Sequence, residues 1–94
     1  IIDRNVKISY REIDIIAKIN NITVFIEVKT RTSSIFGGAI DAIGSKKIKL
    51  LKKAISHYSI KNFINLNKIR LDFIAIDVDK NTKKAIIQHY PDIF

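Results

Sequence analysis

Asp14, Glu27 and Lys29 are the residues whose types and spacing could do chemistry in this sequence. Glu27 and Lys29 stand two apart in "VFIEVKTR", where Val24, Ile26 and Val28 alternate with Phe25, Glu27 and Lys29. That is the period of a strand with one apolar face and one face ending in an acid and a base. Asp14 lies in a second alternating run, "YREIDIIAK". Between the runs, Asn20-Asn21 is a turn signal of the kind that tolerates left-handed backbone. A two-residue turn pairs Ile19 with Ile22, and paired residue numbers then sum to 41. A four-residue loop, with Lys18 opposite Thr23, gives the same register. Asp14 then faces Glu27, and Glu12 faces Lys29. Ile13, Ile15, Ala17, Val24, Ile26 and Val28 fall on the other face, which is entirely apolar.

Directly opposed residues have Cβ atoms ~4.5–5.5 Å apart, and like charges there are destabilising. Two carboxylates in register are either fully solvated and screened, or share a cation that removes their repulsion. A metal there would neutralise phosphate charge and lower the pKa of a bound water. Lys29, beside it, could steer that water or stabilise developing charge. These are the parts needed for phosphodiester hydrolysis. Exposed strand faces produce Glu-x-Lys constantly, so the register-matched Asp14 carries what specificity the pattern has. The residues alone leave both the solvated face and the metal site open.

Composition narrows the choices. The 94 residues make one small domain, and 47% of them are hydrophobic. No apolar run reaches ~18 residues, so nothing is expected to span a membrane. Cysteine is absent, which excludes disulfides, zinc-thiolate sites and thiol nucleophiles and fits a reducing cytoplasm. With His57 and His89 as the two histidines, a metal would be held by carboxylates, which favours magnesium or manganese. The net charge is +8, and residues 42–71 hold eight Lys and Arg and no acid. Such concentration is the footprint of a polyanion partner, usually nucleic acid. Lysines filling solvated helix positions in an Ile-, Lys- and Asn-rich chain would look the same.

The elements that must position these residues follow from periodicity. Residues 2–8, 10–18 and 22–30 are expected to be three strands. A loop containing Phe36-Gly37-Gly38 follows, and Ser45 is placed to cap a helix running to about Asn62. Ile48, Leu51, Ile55 and Tyr58 mark its buried stripe, with Lys46, Lys49 and Lys53 opposite and Lys47 at the stripe's edge. Residues 69–78 are apolar on both faces over much of their length, as a central strand would be, and 84–90 form a last strand. The order β-β-β-α-β-β is an α+β domain with a mixed sheet. One helix covers one face at most, and the chain opens "IIDRNVK" without methionine. The expectation is a single domain over residues 1–94, truncated at its amino end.

The run "REIDIIAKINNITVFIEVKTRTSSIFGGAIDAI", with Lys47 and then "IRLDFIAID", resembles the YraN family of small bacterial proteins. The resemblance covers nearly the whole chain and is most specific over residues 12–31. It implies a restriction-endonuclease-like fold with the PD-(D/E)xK nuclease core. Asp14 and Glu27 fall on that core's metal-binding acids, with the Val28 carbonyl as a further ligand, and Lys29 falls on its Lys. Lys47 matches a helix-start Lys, Glu12 an accessory acid, and Asp72 a late-strand Asp that is as apt to be a partner for Arg70 as an accessory catalytic group. Arg11 stands where the family usually has Gly. The family also begins with a Glu-bearing helix before the first strand, whereas this chain starts near the family's Arg-Asn at Arg4-Asn5.

Other candidates are weaker. His57 and His89 read as solvated side chains, and Tyr58, Phe63 and Phe73 as core. Phe36–Gly38 lacks the Lys-Ser/Thr of a phosphate-binding loop. Arg31, Lys46, Lys47, Lys49 and Lys53 suit contacts to a nucleic-acid backbone. The leading expectation is magnesium- or manganese-dependent cleavage of nucleic acid, DNA before RNA. The alternatives are a binding module of the same fold without catalysis, and a protein-interaction scaffold. Dimerisation is common in this fold class, so a homodimer is a further expectation of the resemblance.

Overall fold

The computed structural model describes residues 2–8, 11–33 and 44–93. Five strands form one sheet in sequence order: β1 (Asp3–Ile8), β2 (Arg11–Ile19), β3 (Ile22–Ser33), β4 (Ile69–Asp79) and β5 (Ala85–Tyr90). The pairs β1–β2, β2–β3 and β4–β5 are antiparallel, and β3–β4 is parallel. That parallel pair requires a crossover, which helix α1 (Ser45–Lys61) supplies before a short 3-10 turn at Leu66–Lys68. The architecture is α+β with a mixed sheet, consistent with the restriction-endonuclease-like core. No helix among the described residues is long and apolar enough to cross a membrane.

The β2–β3 hairpin turns on Asn20 and Asn21, at φ 47° and 69°. Both lie in the left-handed region that a two-residue turn demands and asparagine tolerates. Ile19 pairs with Ile22, and the pairing runs to Ile15–Ile26, in the register the turn predicts.

The helix packs on the face that carries Phe25, Leu71, Phe73 and Ala75, and buries Leu51 and Ile55 against them. Tyr58 meets the Phe25 ring edge-on at 5.9 Å. The predicted stripe of Ile48, Leu51, Ile55 and Tyr58 is therefore the packed one. Two expectations change at the helix ends. Gly44 holds the N-cap position, so Ser45 is the first helical residue rather than the cap. Phe63 is 98% exposed, so it is no part of the core.

The larger correction concerns the sheet faces. Phe25, Glu27 and Lys29 share the face that α1 covers, while Val24, Ile26 and Val28 point away from it. Phe25 and its β4 neighbours are buried beneath α1, so the supposed wet face is an interior one, while Val24 on the opposite face is buried as well. Nor is the alternation along β2 unbroken. Ile13 and Ile16, three apart, are buried in the same cluster. The β1–β2 pairing skips Asn5 and Asp14 between them, and Asn5 has φ 53°. The hairpin kinks there, and the side chains beyond the kink change faces.

Candidate metal and nucleic-acid site

The site lies where β2 and β3 part. Their backbone pairing ends at Ile15–Ile26, one pair short of the predicted Asp14–Glu27 opposition. The Asp14 side chain takes over from the ladder. Its carboxylate accepts a 2.7 Å hydrogen bond from the Val28 N–H. In a strand the N–H and C=O of one residue leave by the same edge, so the Val28 carbonyl also projects toward β2, beyond the end of the pairing. Arg4, Asn5, Asp14, Ile15 and Val28 line an open cleft of about 360 Å³ at this point.

Glu27 is 8% exposed. Burial, then the neighbouring Asp14 carboxyl within hydrogen-bonding reach, pushes its pKa up from 4.5 to about 7, against the opposing pull of Lys47 and Lys29. The two acids singled out in the sequence therefore do come together. They meet through the kink at Asp14 rather than across a regular ladder. Lys29, opposite Ala75 on β4, and Lys47, in the first turn of α1, both act on Glu27.

Other predicted residues stand apart. Glu12 is exposed and pairs with Lys7 on β1. With Ile13 turned into the core, Glu12 points to the opposite face and does not meet Lys29. Asp72 is buried and fully engaged elsewhere. Arg70 grips it with Nε at 2.7 Å and a second nitrogen at 2.9 Å, His89 Nε2 lies 2.7 Å away, and the Asp92 N–H donates at 3.0 Å. Burial raises the Asp72 carboxyl, but Arg70, the Asp92 amide and His89 outweigh it and hold it below the usual carboxylate range. Asp72 thus ties β4 to β5 and to the residues after β5. His89 belongs to that cluster, contrary to its reading as merely solvated.

Lys46, Lys49 and Lys53 are exposed on α1, Lys47 is half-buried at its edge, and Arg31 and Thr30 are exposed near the end of β3. Tyr10 and the Phe36–Gly38 loop lie outside the described residues. Among the described residues, no three or more His, Cys, Asp or Glu side chains gather to hold a metal. The available donors are two carboxylates and a strand-edge carbonyl. Arg4 and Asn5, which reasoning from residue types passed over, line the cleft. The signal that could have found them was the Arg-Asn pair in the resemblance.

Comparison with known proteins agrees with that resemblance. The model of "Uncharacterised protein family UPF0102" matches residues 1–76. UPF0102 protein FP2501 of Flavobacterium psychrophilum is 45% identical over 94 residues, covering 100% of this chain and 76% of the relative. A UPF0102 protein of Shewanella sediminis is 40% identical over 94 residues, covering 99% of this chain and 74% of the relative. One from Alkaliphilus oremlandii is 37% identical over 94 residues, covering 100% and 80%.

Proposed function

Because the chain belongs to the uncharacterised protein family UPF0102, whose name assigns no activity, we propose its function from the site itself: metal-dependent hydrolysis of phosphodiester bonds in nucleic acid, with DNA the first substrate to test. The observation that carries this reading is the meeting of the Asp14 and Glu27 carboxyls where the hairpin opens, with Lys29 and Lys47 both acting on Glu27.

The donor set suits a hard divalent cation. It is all oxygen, and burial, reinforced by the neighbouring Asp14, leaves Glu27 holding its proton to about 7, a penalty on the charged pair that a cation relieves. Asp14, Glu27 and the Val28 carbonyl would hold the ion. When bound, magnesium or manganese neutralises phosphate charge and lowers the pKa of a coordinated water. Glu27 must then give up its proton, which Lys29 and Lys47 favour. Asp14, anchored on the Val28 amide, keeps its carboxylate fixed at the cleft. The Lys29 ammonium stabilises charge developing on the phosphate. Lys46, Lys49 and Lys53 position the polyanion without reading its sequence.

The test is incubation with manganese and linear, single-stranded or branched DNA. Cleavage is expected, and Glu27→Ala or Lys29→Ala should reduce it by about a hundredfold or more. Intact DNA of every kind would count against the proposal. A second reading, a nucleic-acid-binding module without catalysis, is favoured by Glu12 lying apart, which among the described residues leaves Asp14 and Glu27 as the side-chain acids for a metal.

A further inference from the structure

Phe63 breaks two local rules at once. It stands where the chain turns out of α1. There the Ile64 N–H donates to the Ser59 carbonyl at 2.7 Å and the Phe63 N–H to the Ile60 carbonyl at 3.3 Å. These are the paired bonds of a Schellman turn, whose turning residue takes left-handed backbone and is usually glycine. Phe63 adopts φ 57° with a full side chain, where a Cβ is strained. Its ring is exposed, so no packing against the core offsets that strain. A residue both strained and unburied is what a contact site looks like when the fold alone is accounted for.

Its surroundings indicate the kind of contact. Phe63 lies within the window of eight basic residues and no acid. Lys61 and Lys68 are exposed on either side in sequence, and Lys46, Lys49 and Lys53 are exposed along α1. A partner here needs negative charge together with a flat apolar surface. An unpaired base carried on its phosphate backbone has both, and aromatic side chains in a basic setting are how proteins hold such bases. A hydrophobic protein surface would offer the second property without the first.

We propose that Phe63 stacks on an unpaired base of a nucleic acid whose backbone follows the α1 lysines toward the Asp14–Glu27 site. This rests on the nucleic-acid reading above and narrows its substrate to one with an unpaired stretch. From Lys47 to Lys61 the helix rises about 21 Å, or about six nucleotides of stacked strand.

The experiment compares a blunt DNA duplex with the same duplex bearing a single-stranded overhang that contains 2-aminopurine. Binding is followed by anisotropy and stacking by 2-aminopurine fluorescence. Wild type should bind the overhang substrate more tightly and change its fluorescence. Phe63→Gly should weaken overhang binding about tenfold, abolish the fluorescence change and leave blunt-duplex affinity unaltered. The same variant should raise Tm by about 4 °C, because the left-handed strain is relieved, so lost binding cannot be lost folding. Phe63→Tyr should keep overhang binding. If Phe63→Gly binds the overhang as tightly as wild type, the stacking role is overturned while the nuclease reading stands. If wild type binds neither DNA, both fall. Should Phe63→Gly abolish self-association and leave DNA binding unchanged, the ring is a protein contact and the proposal is overturned.

Discussion

Glu27 carries the sharpest consequence at the scale of single residues. Its folded pKa, about 7, lies above its ordinary 4.5. Between those values the native state keeps a proton that the unfolded chain has released. The associated stability is therefore fully present below about 4.5 and lost as pH rises through about 7. The loss is on the order of 3 kcal/mol. Urea melts of metal-free protein at pH 5 and pH 8 should show this decline, and Glu27→Gln should flatten it. A bound divalent ion displaces the proton, so manganese affinity should climb with pH up to about 7 and level off above it, which calorimetry reads directly. Asp72 obeys the opposite sign. Its lowered carboxyl contributes stability above the ordinary 3.8, lost as pH falls below it. Asp72→Asn leaves Arg70 and His89 without their anion and should cost about 3 kcal/mol in a denaturant melt, with no specific effect on metal binding.

The elements were legible to different degrees, for physical reasons. The Asn20-Asn21 turn determined the hairpin register, because a left-handed pair at a two-residue loop leaves few alternatives. Asn21→Gly should therefore stabilise the protein by about 0.5 kcal/mol, seen as a rise in Tm. The kink at Asn5 and Asp14 was not legible. Isoleucine stands at 13, 15 and 16, so either phase of the alternation buries an apolar residue. The covered face was misjudged because Glu27 and Lys29 outweighed Phe25 in a pattern of polar against apolar. The β4 side chains Leu71, Phe73 and Ala75 had already made that face apolar. At the end of α1, Phe63 reads as core by composition, and its left-handed turn is what turns the ring out. Of the candidate site, the nearness of Asp14, Glu27 and Lys29 is readable from the strand register, whereas the approach of Lys47 to Glu27 is visible only in the fold. Glu12 was misplaced because the phase slip at Asp14 reverses its face.

At the scale of the whole molecule, the sheet supplies an opening hairpin and α1 supplies a basic approach to it. The net charge of +8 resides in the stretch that contains α1. Binding to any nucleic acid should weaken linearly in log affinity against log salt. Replacing Lys46, Lys49 and Lys53 together with Gln should reduce that slope by about 2.7 on duplex DNA if each meets one phosphate. A slope unchanged by the triple substitution would move the polyanion to another face. Hydrolysis asks more of the molecule than binding: Asp14 and Glu27 must share a divalent cation. That sharing is tested most directly by soaking a crystal of the protein in manganese at pH 8 and collecting anomalous diffraction. One anomalous peak is expected between the two carboxylates, within coordination distance of the Val28 carbonyl, and it should vanish in Asp14→Ala. Well-ordered carboxylates with no peak between them would contradict a shared cation.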